Sequence, residues 1–389
     1  MNKIYTTLFL IFVYTTLSFS QVEVSSRLLK AVADAEPDDY IRTLVLLRDQ
    51  VDLTTMDRQF YQESATIKRR AYEVITLLQE KARTTQVNLL TYLDEKSQSG
   101  DVFKYQSFWI SNLVMVEAKP NVITELMSRL DLLQMDVDGL LELDRPVEAS
   151  EGEVEGTESV EPGLKIINAH LLWDMGITGQ GRLVMGHDTG VHPNHPALNH
   201  KWRGNHVPAN QAWIDPGGGT TTPNDCDGHG SHTVGTMVGR SLTTADTIGV
   251  AIDAEWIAAK TICSSPHTSN SIAAFQWALN PDGNPATIDD MPDVISCSWW
   301  DPNASNQCDP ANIYATTLTA LEVAGIAVTF SAGNSGPGTS TITQPKNMNL
   351  SETLIFSVGA IDGAQYIGGN NNPIANFSSR GPSVCGGTG

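Results

Sequence analysis

The stretch Asp227-Gly-His-Gly-Ser-His-Thr-Val-Gly-Thr-Met-Val-Gly239 places a histidine among small residues at the start of a predicted helix. Ser231, Gly235 and Gly239 are spaced four apart and so share one helix face. A glycine inside a helix costs roughly 0.5 to 1 kcal/mol relative to alanine, so we expect this smooth face to pack closely against another backbone. A helix held in that way keeps His229 in a fixed place, as a general base requires.

The composition sets the class of protein around this helix. The chain has 389 residues and 41% apolar residues, which indicates a globular protein with more than one domain. Its formal net charge of -20 argues against a nucleic-acid partner or an anionic membrane partner, because both require a basic surface.

The N-terminus has the pattern of a secretory signal peptide. Residues 1–20 contain Lys3, an apolar run over 8–13, and the small residues Ser18 and Ser20. This run is too short to span a membrane as a helix. The sequence therefore predicts a secreted product, extracellular or periplasmic.

All cysteines lie in the second half of the chain, and an exported protein is free to join them in disulfides. There are five of them, so one stays unpaired, but their spacing does not tell which ones pair. They lack the CxxC spacing typical of zinc sites. The cysteines are Cys226, Cys263, Cys297, Cys308 and Cys385.

Residues 21–146 are predicted to form a small α+β domain. It has neither histidine nor cysteine, which favours a folding or inhibitory module over a catalytic one. The hydrophobic periodicity predicts a strand at 41–47, a long helix at 58–96, a strand at 108–116, a helix that begins at Pro120, and an extended piece at 139–143.

Residues 147–163 contain six glutamates amid serine, glycine, threonine and proline. Such a segment cannot bury a core, so it is predicted to be an exposed acidic linker. Exposed linkers are preferred sites of proteolysis, so two readings stand: a cleavage junction of a zymogen, or a passive spacer.

From residue 164 to residue 389 the pattern changes to short apolar strands that alternate with helices. Helices are predicted at 272–279 and 313–324, the second ended by Gly325. The alternation indicates a parallel sheet covered by helices on both faces, with functional sites at the carboxyl ends of the strands. The predicted strands are 183–185, 256–259, 294–295, 326–330 and 354–358.

Three polar side chains stand where this rule places a site. Asp188 follows the first of these strands, His229 opens the glycine-bearing helix, and Asn334 follows the strand at 326–330. A carboxylate that orients, an imidazole that takes a proton and an amide that donates to an oxyanion are parts of an acyl-transfer site.

At this point the motifs resemble those of the subtilisin-like serine proteases (subtilases, peptidase family S8), and within them the bacillopeptidase F group. Their order along residues 164–382 makes the resemblance specific. The motifs are Asp188-Thr-Gly-Val with His195-Pro196, Gly228-His-Gly-Ser-His-Thr-Val-Gly-Thr-Met-Val-Gly239, Ile248-Gly-Val-Ala251, Asp293-Val-Ile-Ser-Cys-Ser-Trp299, Ser331-Ala-Gly-Asn-Ser-Gly-Pro337 and Asn376-Phe-Ser-Ser-Arg-Gly-Pro382.

The resemblance implies a secreted serine endopeptidase precursor that hydrolyses peptide bonds in proteins. In it Asp188 orients His229, His229 deprotonates a serine, and Asn334 donates to the oxyanion. The partners it implies are peptide or protein substrates and the chain's own propeptide, residues 21–146. The residues that would flank the specificity pocket and pair with an extended substrate are Ser298, Trp299, Trp300, Ser331, Ala332 and Gly333.

The sequence departs from the family pattern at the nucleophile. The family carries it in a Gly-Thr-Ser-Met-Ala segment downstream of the Phe-Ser-Ser-Arg-Gly-Pro motif, and these 389 residues do not contain that segment. Ser378 and Ser379 belong to the preceding motif and are predicted to be structural. We therefore expect a peptidase domain that is partial at its C-terminal end and inactive as it stands. The alternative is an inactive subtilase fragment or pseudoprotease that only binds peptides or proteins.

Two further departures concern the cleft and metals. Trp300 stands where the family usually has glycine, so it either narrows the cleft or packs under a loop. Ala197 follows His195-Pro196 where many subtilisins have a calcium-binding aspartate, so a structural calcium ion has no support. We predict no metal site and no cofactor; Asp215, Asp225 and Asp227 in the loop before His229 are an alternative set of calcium ligands, but a solvated loop is favoured.

Other enzyme classes fit the sequence less well. An aspartic protease needs a second Asp-Thr-Gly or Asp-Ser-Gly, which is absent from the sequence. The histidines around residues 187–206 lack the His-Glu-x-x-His pattern of a zinc protease.

Overall fold

The computed structural model describes residues 21–145, 160–244, 246–302, 308–309, 312–348, 355–362 and 373–385. The predicted signal segment, residues 1–20, and residues 147–159 of the predicted acidic linker lie outside the described residues. Across the described ranges, we find no helix with the length and apolar character needed to cross a membrane.

The described N-terminal part folds as an α+β unit around a five-stranded sheet with the order β1-β5-β2-β4-β3. Strand β1 runs parallel to β5, and the remaining neighbours are antiparallel. Its elements are β1 (Glu23–Val24), α1 (Ser26–Asp34), β2 (Ile41–Leu47), α2 (Leu53–Gln62), α3 (Ile67–Thr85), α4 (Val87–Gln98), β3 (Val102–Phe108), β4 (Leu113–Ala118), α5 (Pro120–Leu126), β5 (Leu132–Val137) and β6 (Glu142–Leu143).

The described C-terminal part is built on a six-stranded sheet with the order β13-β12-β10-β7-β9-β8. All neighbouring strands are parallel. Its elements are α6 (Pro162–Ile166), α7 (Ala169–Asp174), β7 (Leu183–Asp188), β8 (Trp213–Ile214), α8 (His229–Val238), β9 (Glu255–Lys260), α9 (Thr268–Leu279), β10 (Val294–Cys297), β11 (Trp299–Trp300), α10 (Ile313–Ala324), β12 (Ala327–Ser331) and β13 (Phe356–Val358).

Alternate residues of the central strands pack against helices on opposite faces of this sheet. Val184 and Trp256 belong to the cluster that contains Val234 of α8. Met185 and Ile257 belong to the cluster that contains α9 and α10. The prediction of a parallel sheet with helices on both faces is therefore confirmed. Helix α10 has the predicted bounds, and Gly325 ends it in a left-handed conformation with φ 107°.

The two parts share one apolar cluster. Leu44, Phe60 and Ile75 of the N-terminal unit pack in the same cluster as Phe275 and Leu318 on α9 and α10. Because this contact is apolar and continuous, the two parts bury a common core.

Hydrogen bonds at the edge of this core fix how the two parts are placed. The backbone N–H groups of Trp109 and Ile110 donate to Gln276 Oε1 on α9 at 2.6 and 3.2 Å. Asp138 is buried, forms an ion pair with Arg42 and accepts the Ser269 hydroxyl at 2.7 Å.

Two predicted elements of the N-terminal unit were wrong. The single helix at 58–96 is three helices, interrupted at Ser64 with φ 50° and again where α3 gives way to α4 at Gln86. The strand at 108–116 is a hairpin, because the chain turns at Asn112 with φ 45°. The prediction also lacked β3 and β5. Polar residues interrupt the apolar pattern of both strands, so neither was recognised as a buried strand.

Candidate active site

The structure brings Asp188 and His229 together at the carboxyl end of the central strand. Asp188 is the last residue of β7, and His229 is the first residue of α8. His229 Nδ1 lies 2.7 Å from Asp188 Oδ1, and both side chains are buried. A carboxylate at this distance accepts the Nδ1 proton, which leaves Nε2 able to act as a base.

Burial and charge have opposite effects on the pKa values of Asp188 and His229. Burial lowers the pKa of His229, but the hydrogen bond and charge of Asp188 outweigh it and raise the pKa above its usual range. The backbone of Asp144 raises the pKa of His229 further. Burial raises the pKa of Asp188, while the ring of His229 and the N–H of Thr189 stabilise its ionised form.

Asp225 holds the first turn of α8 in place. Its carboxylate accepts the N–H of Gly228 at 2.9 Å and both the N–H and the hydroxyl of Ser231 at 2.9 and 2.6 Å. Burial raises the pKa of Asp225, but these hydrogen bonds lower it more, so the group is ionised. A charged acceptor at the N-terminus of a helix is favourable. Asp225 was not among the predicted site residues; it lies three residues before Gly228, the N-cap of α8.

Helix α8 approaches another backbone closely at Gly230, a glycine that was not among the predicted ones. A Cβ at Gly230 would lie 2.1 Å from the carbonyl oxygen of Gly190, whereas one at Gly235 would meet nothing within 4 Å. Ser231 makes hydrogen bonds with Asp225, and Gly239 lies past the last helical residue. The predicted packing face was therefore wrong at Gly235, while Ser231 Oγ accepts the backbone N–H of His192 at 2.8 Å and the backbone N–H of Gly249 donates to Gly239 at 2.8 Å.

Asn334 lies near His229 but contacts a segment of the N-terminal unit. Its Nδ2 donates to the backbone carbonyl of Arg145 at 2.6 Å. Gly333, directly before it, has φ 98°, a conformation that favours glycine. The amide predicted to bind an oxyanion is thus engaged with a peptide carbonyl.

Residues 141–145 of the N-terminal unit occupy the predicted substrate edge. Leu143 and Glu142 of β6 pair antiparallel with Trp299 and Trp300 of β11. One residue further on, the N–H of Asp144 donates to the carbonyl of Ser298 at 2.9 Å. The predicted edge therefore holds a strand of the chain itself, as β-strand addition requires.

The second predicted wall, residues 331–333, meets the same segment in part. The Ser331 hydroxyl donates to Asp144 Oδ2 at 2.5 Å, and a Cβ on Gly333 would lie 3.7 Å from Asp144 Oδ1. The N–H of Ala332 instead donates to the carbonyl of Val358, so Ala332 supports the sheet. Lys346, which was not predicted, forms an ion pair with Asp144.

Neither serine of the Phe-Ser-Ser motif is placed as a nucleophile. Ser378 Oγ accepts the N–H of Ala360 at 3.1 Å, and Ser379 Oγ accepts the N–H of Ser335 at 3.0 Å. Both hydroxyls hold loops together, in the structural role expected of them.

The cysteines and histidines have structural surroundings. Cys226 pairs with Cys263 and Cys308 with Cys385, while Cys297 is free and buried. His187 is fully buried, and burial lowers its pKa to about 3. Within the described ranges, no group of three or more histidine, cysteine or acidic side chains is arranged to hold a metal ion.

Comparisons with known proteins place this geometry in context. The model of the subtilase family, Peptidase S8, matches residues 179–388. The chain is 30% identical over 387 residues to bacillopeptidase F of Bacillus subtilis (strain 168), covering 94% of this chain and 25% of that protein. It is 28% identical over 230 residues to subtilisin E of the same strain, covering 59% of this chain and 52% of that protein.

Among solved structures, fervidolysin from Fervidobacterium pennivorans, a keratinolytic enzyme related to subtilisin, matches with a TM-score of 0.52 and 16% identity. This match covers 92% of the present chain and 47% of fervidolysin, and it shows a shared fold. The chain spans from about a quarter to about half the length of these relatives.

Proposed function

Because the chain belongs to the subtilase family of serine peptidases, we propose that it is the precursor of a secreted endopeptidase whose N-terminal unit is its own inhibitor. The observation that carries the proposal is the position of residues 141–145. They add a strand to Trp299–Trp300 and bring the backbone of residues 144–145 to His229 and Asn334. A peptide segment lies there as a substrate would, and it blocks access for other peptides.

In this proposal His229 Nε2 takes the proton of the serine that the family carries in its Gly-Thr-Ser-Met-Ala segment. The serine oxygen bonds to the substrate carbonyl carbon, and Asn334 donates to the oxygen that gains charge. His229 then gives its proton to the departing amine. Water attacks the acyl-enzyme in the same way and releases the acid. Asp188 keeps Nδ1 protonated throughout, which its 2.7 Å distance supports.

Export and inhibition have separate support. Two disulfides are typical of an oxidising compartment, which agrees with a signal peptide at residues 1–20. The apolar cluster shared by the N-terminal unit with α9 and α10 supports a role of that unit in folding the peptidase domain.

The proposal includes the family's Gly-Thr-Ser-Met-Ala nucleophile segment, and the test uses the full-length protein in the form that contains it. We expect it to release its N-terminal unit and then hydrolyse a denatured protein substrate. His229→Ala removes the base and should abolish both activities. His232→Ala changes a neighbouring histidine on the same helix and serves as the control. Hydrolysis retained by His229→Ala, or an intact protein without hydrolysis of any substrate, would contradict the proposal.

A further inference from the structure

Asp144 enters a pocket at the end of the paired strand. Its N–H donates to the carbonyl of Ser298, so its backbone continues the register of Leu143 with Trp299. Its side chain leaves the strand and reaches the wall formed by residues 331–333. Asp144 Oδ2 there accepts the Ser331 hydroxyl at 2.5 Å and the ammonium group of Lys346. The carboxylate is thus recognised by a neutral donor and by a cation.

Lys346 is fixed at the bottom of this pocket and is fully buried. Its side chain has 0% exposure, and that of Asp144 has 8%. Within the described residues, Asp144 is the single hydrogen-bonding or ion-pairing partner of Lys346. Burial lowers the pKa of Lys346, and Asp144 opposes this effect.

Among the residues that the structure describes, no second carboxylate acts on Lys346. The other titratable group that acts on it is the thiol of Cys297, and burial raises the pKa of that thiol well above its usual range. The thiol is therefore neutral at physiological pH. Removing one partner of a buried ion pair leaves an uncompensated charge, which is strongly unfavourable. A pocket with this cation is consequently stable when an acidic side chain fills it.

Gly333 sets the depth of the pocket. A Cβ at this position would lie 3.3 Å from Lys346 Nζ and 3.0 Å from Ser379 Oγ. The absence of a side chain leaves the route from the cleft to the ammonium group open. A carboxylate enters, while a bulky apolar side chain would meet a buried charge instead of an apolar wall.

We infer that Lys346 makes this pocket selective for an acidic residue, so that the peptidase cleaves after aspartate or glutamate and cuts its own chain between Asp144 and Arg145. The inference rests on the proposed function and adds its substrate class. The cut lies before the acidic linker predicted at 147–163. Hydrolysis adds water across the peptide bond: the carbonyl carbon of Asp144 gains the hydroxyl, and the nitrogen of Arg145 gains the proton.

Arg145 is the competing candidate for the residue before the cut, since Asn334 donates to its carbonyl. Its side chain, however, fills no pocket: it is 70% exposed and pairs with Asp227 at the rim. The N–H of Arg145 donates to the carbonyl of Leu143 at 3.0 Å, so the chain turns back at Asp144. That turn brings the next carbonyl to Asn334. The bond after Arg145 also leads to Pro146, whose nitrogen carries no hydrogen.

The experiment measures kcat/KM of the full-length protein on peptides that differ in the residue before the cut. Aspartate, its neutral isostere asparagine, glutamate, phenylalanine and lysine are compared. We expect aspartate and glutamate to exceed asparagine and phenylalanine by about 100-fold, because a buried charge is left unpaired by the neutral residues. N-terminal sequencing of the processed protein should begin at Arg145. Preference for phenylalanine or lysine, or a new N-terminus at Pro146, would overturn the inference.

Two lysine variants test whether the preference for aspartate comes from Lys346 or from the overall charge of the domain. Lys346→Met should lose most of the preference for aspartate over asparagine, measured as the ratio of kcat/KM for the two peptides. Lys165→Met, at an exposed lysine of the same domain, is the matched control and should leave the preference unchanged. Because the comparison of aspartate with asparagine uses the wild-type protein, it decides the inference even where Lys346→Met does not fold.

If the full-length protein hydrolyses none of these peptides, the proposed function fails and the pocket is tested in the 389-residue chain itself. Asp144→Asn, Lys346→Met and the double variant form a thermodynamic cycle for chemical unfolding. We expect the two single changes to be coupled by at least about tenfold in the unfolding constant, as for buried charge pairs. Independent effects of the two changes would overturn the inference.

Discussion

Replacing Gly230 by alanine tests the contact that seats α8. The added methyl group would lie 2.1 Å from the carbonyl oxygen of Gly190 and 2.9 Å from its nitrogen, whereas ordinary contacts begin at 3.4 Å. Both neighbours are backbone atoms, so the helix itself must shift by roughly 1 Å. Overpacking of this kind costs about 1 to 3 kcal/mol, and a helical alanine returns about 0.5 to 1 kcal/mol. We expect Gly230→Ala to lower the free energy of unfolding by about 1 to 2 kcal/mol.

Gly235→Ala is the matched control on the same helix. Its methyl group would meet nothing within 4 Å, so it should raise the free energy of unfolding by about 0.5 to 1 kcal/mol. Urea unfolding of the 389-residue chain, with disulfides intact, measures both changes as shifts of the midpoint at constant slope. A Gly230→Ala variant as stable as wild type, or equal shifts for both variants, would refute the packing argument.

In the full-length protein, Gly230→Ala and Gly235→Ala also distinguish a displacement of His229 from a loss of folding stability. Gly230 follows His229 directly, and a displacement of about 1 Å in a catalytic group costs roughly 100-fold in rate. Gly230→Ala should therefore lose about that much kcat/KM at a temperature where it is fully folded. Gly235→Ala should match wild type.

Three further predictions concern single groups. Asn334→Ala should lower kcat of the full-length protein about 10² to 10³-fold with little change in KM, and a loss below tenfold would place the oxyanion donor elsewhere. The pKa of His229 is raised, so hydrolysis should fall as pH drops through a value above 6.5, where the ring binds a proton; a flat profile there would contradict its role as base. Burial raises the pKa of Asp290 to about 6, so the folded chain binds more protons than the unfolded chain between 3.8 and that value. Its contribution to stability is lost as pH rises across this window, so Asp290→Asn should flatten the pH dependence of urea unfolding there, and an unchanged pH dependence would be the contrary result.

The apolar pattern and the glycine that ends it predicted helix α10, whereas the break between α3 and α4 was not predicted. Helix α10 has a continuous apolar pattern with Gly325 after it, and both of its ends were predicted correctly. The break between α3 and α4 has no glycine or proline to announce it. It occurs where the buried amide of Gln86 donates to the carbonyl of Phe108 and to Asn112 Oδ1. Phe108 is the last residue of β3 and Asn112 lies in the turn after it, so the break depends on tertiary contacts that a sequence pattern does not contain.

The site also has residues that local sequence signals predict and a residue that they do not. Asp188 and His229 stand at a strand end and a helix start, and these positions follow from the alternation of strands and helices. Lys346 stands in a loop with no motif of its own. Its role depends on Asp144, which comes from the other unit of the chain. A contact between residues so far apart in sequence becomes visible once the two units are placed together.

The position of residues 138–145 links folding to inhibition. Arg42 and Ser269 hold Asp138 at the apolar interface. The residues that follow Asp138 make hydrogen bonds with the C-terminal unit as far as β6. The carbonyl of Gly139 accepts the N–H of Thr268 at 2.9 Å, and the N–H of Leu141 donates to Pro266 at 2.7 Å before β6 pairs with β11. A cut after Asp144 breaks none of these bonds.

After the proposed cut, the new α-carboxylate of Asp144 would lie beside His229, which its backbone already contacts, so we expect the cleft to hold the released end more tightly. The apolar cluster with α9 and α10 also persists after the cut. Under the proposed function, we therefore expect the cleaved N-terminal unit to remain an inhibitor until it is unfolded or degraded. Its ion pairs on α3, such as Arg69 with Glu73, are exposed and contribute little to its stability. The unit also has a buried apolar cluster of its own, which includes Val45, Leu93 and Val116, so its stability does not depend on the shared core alone.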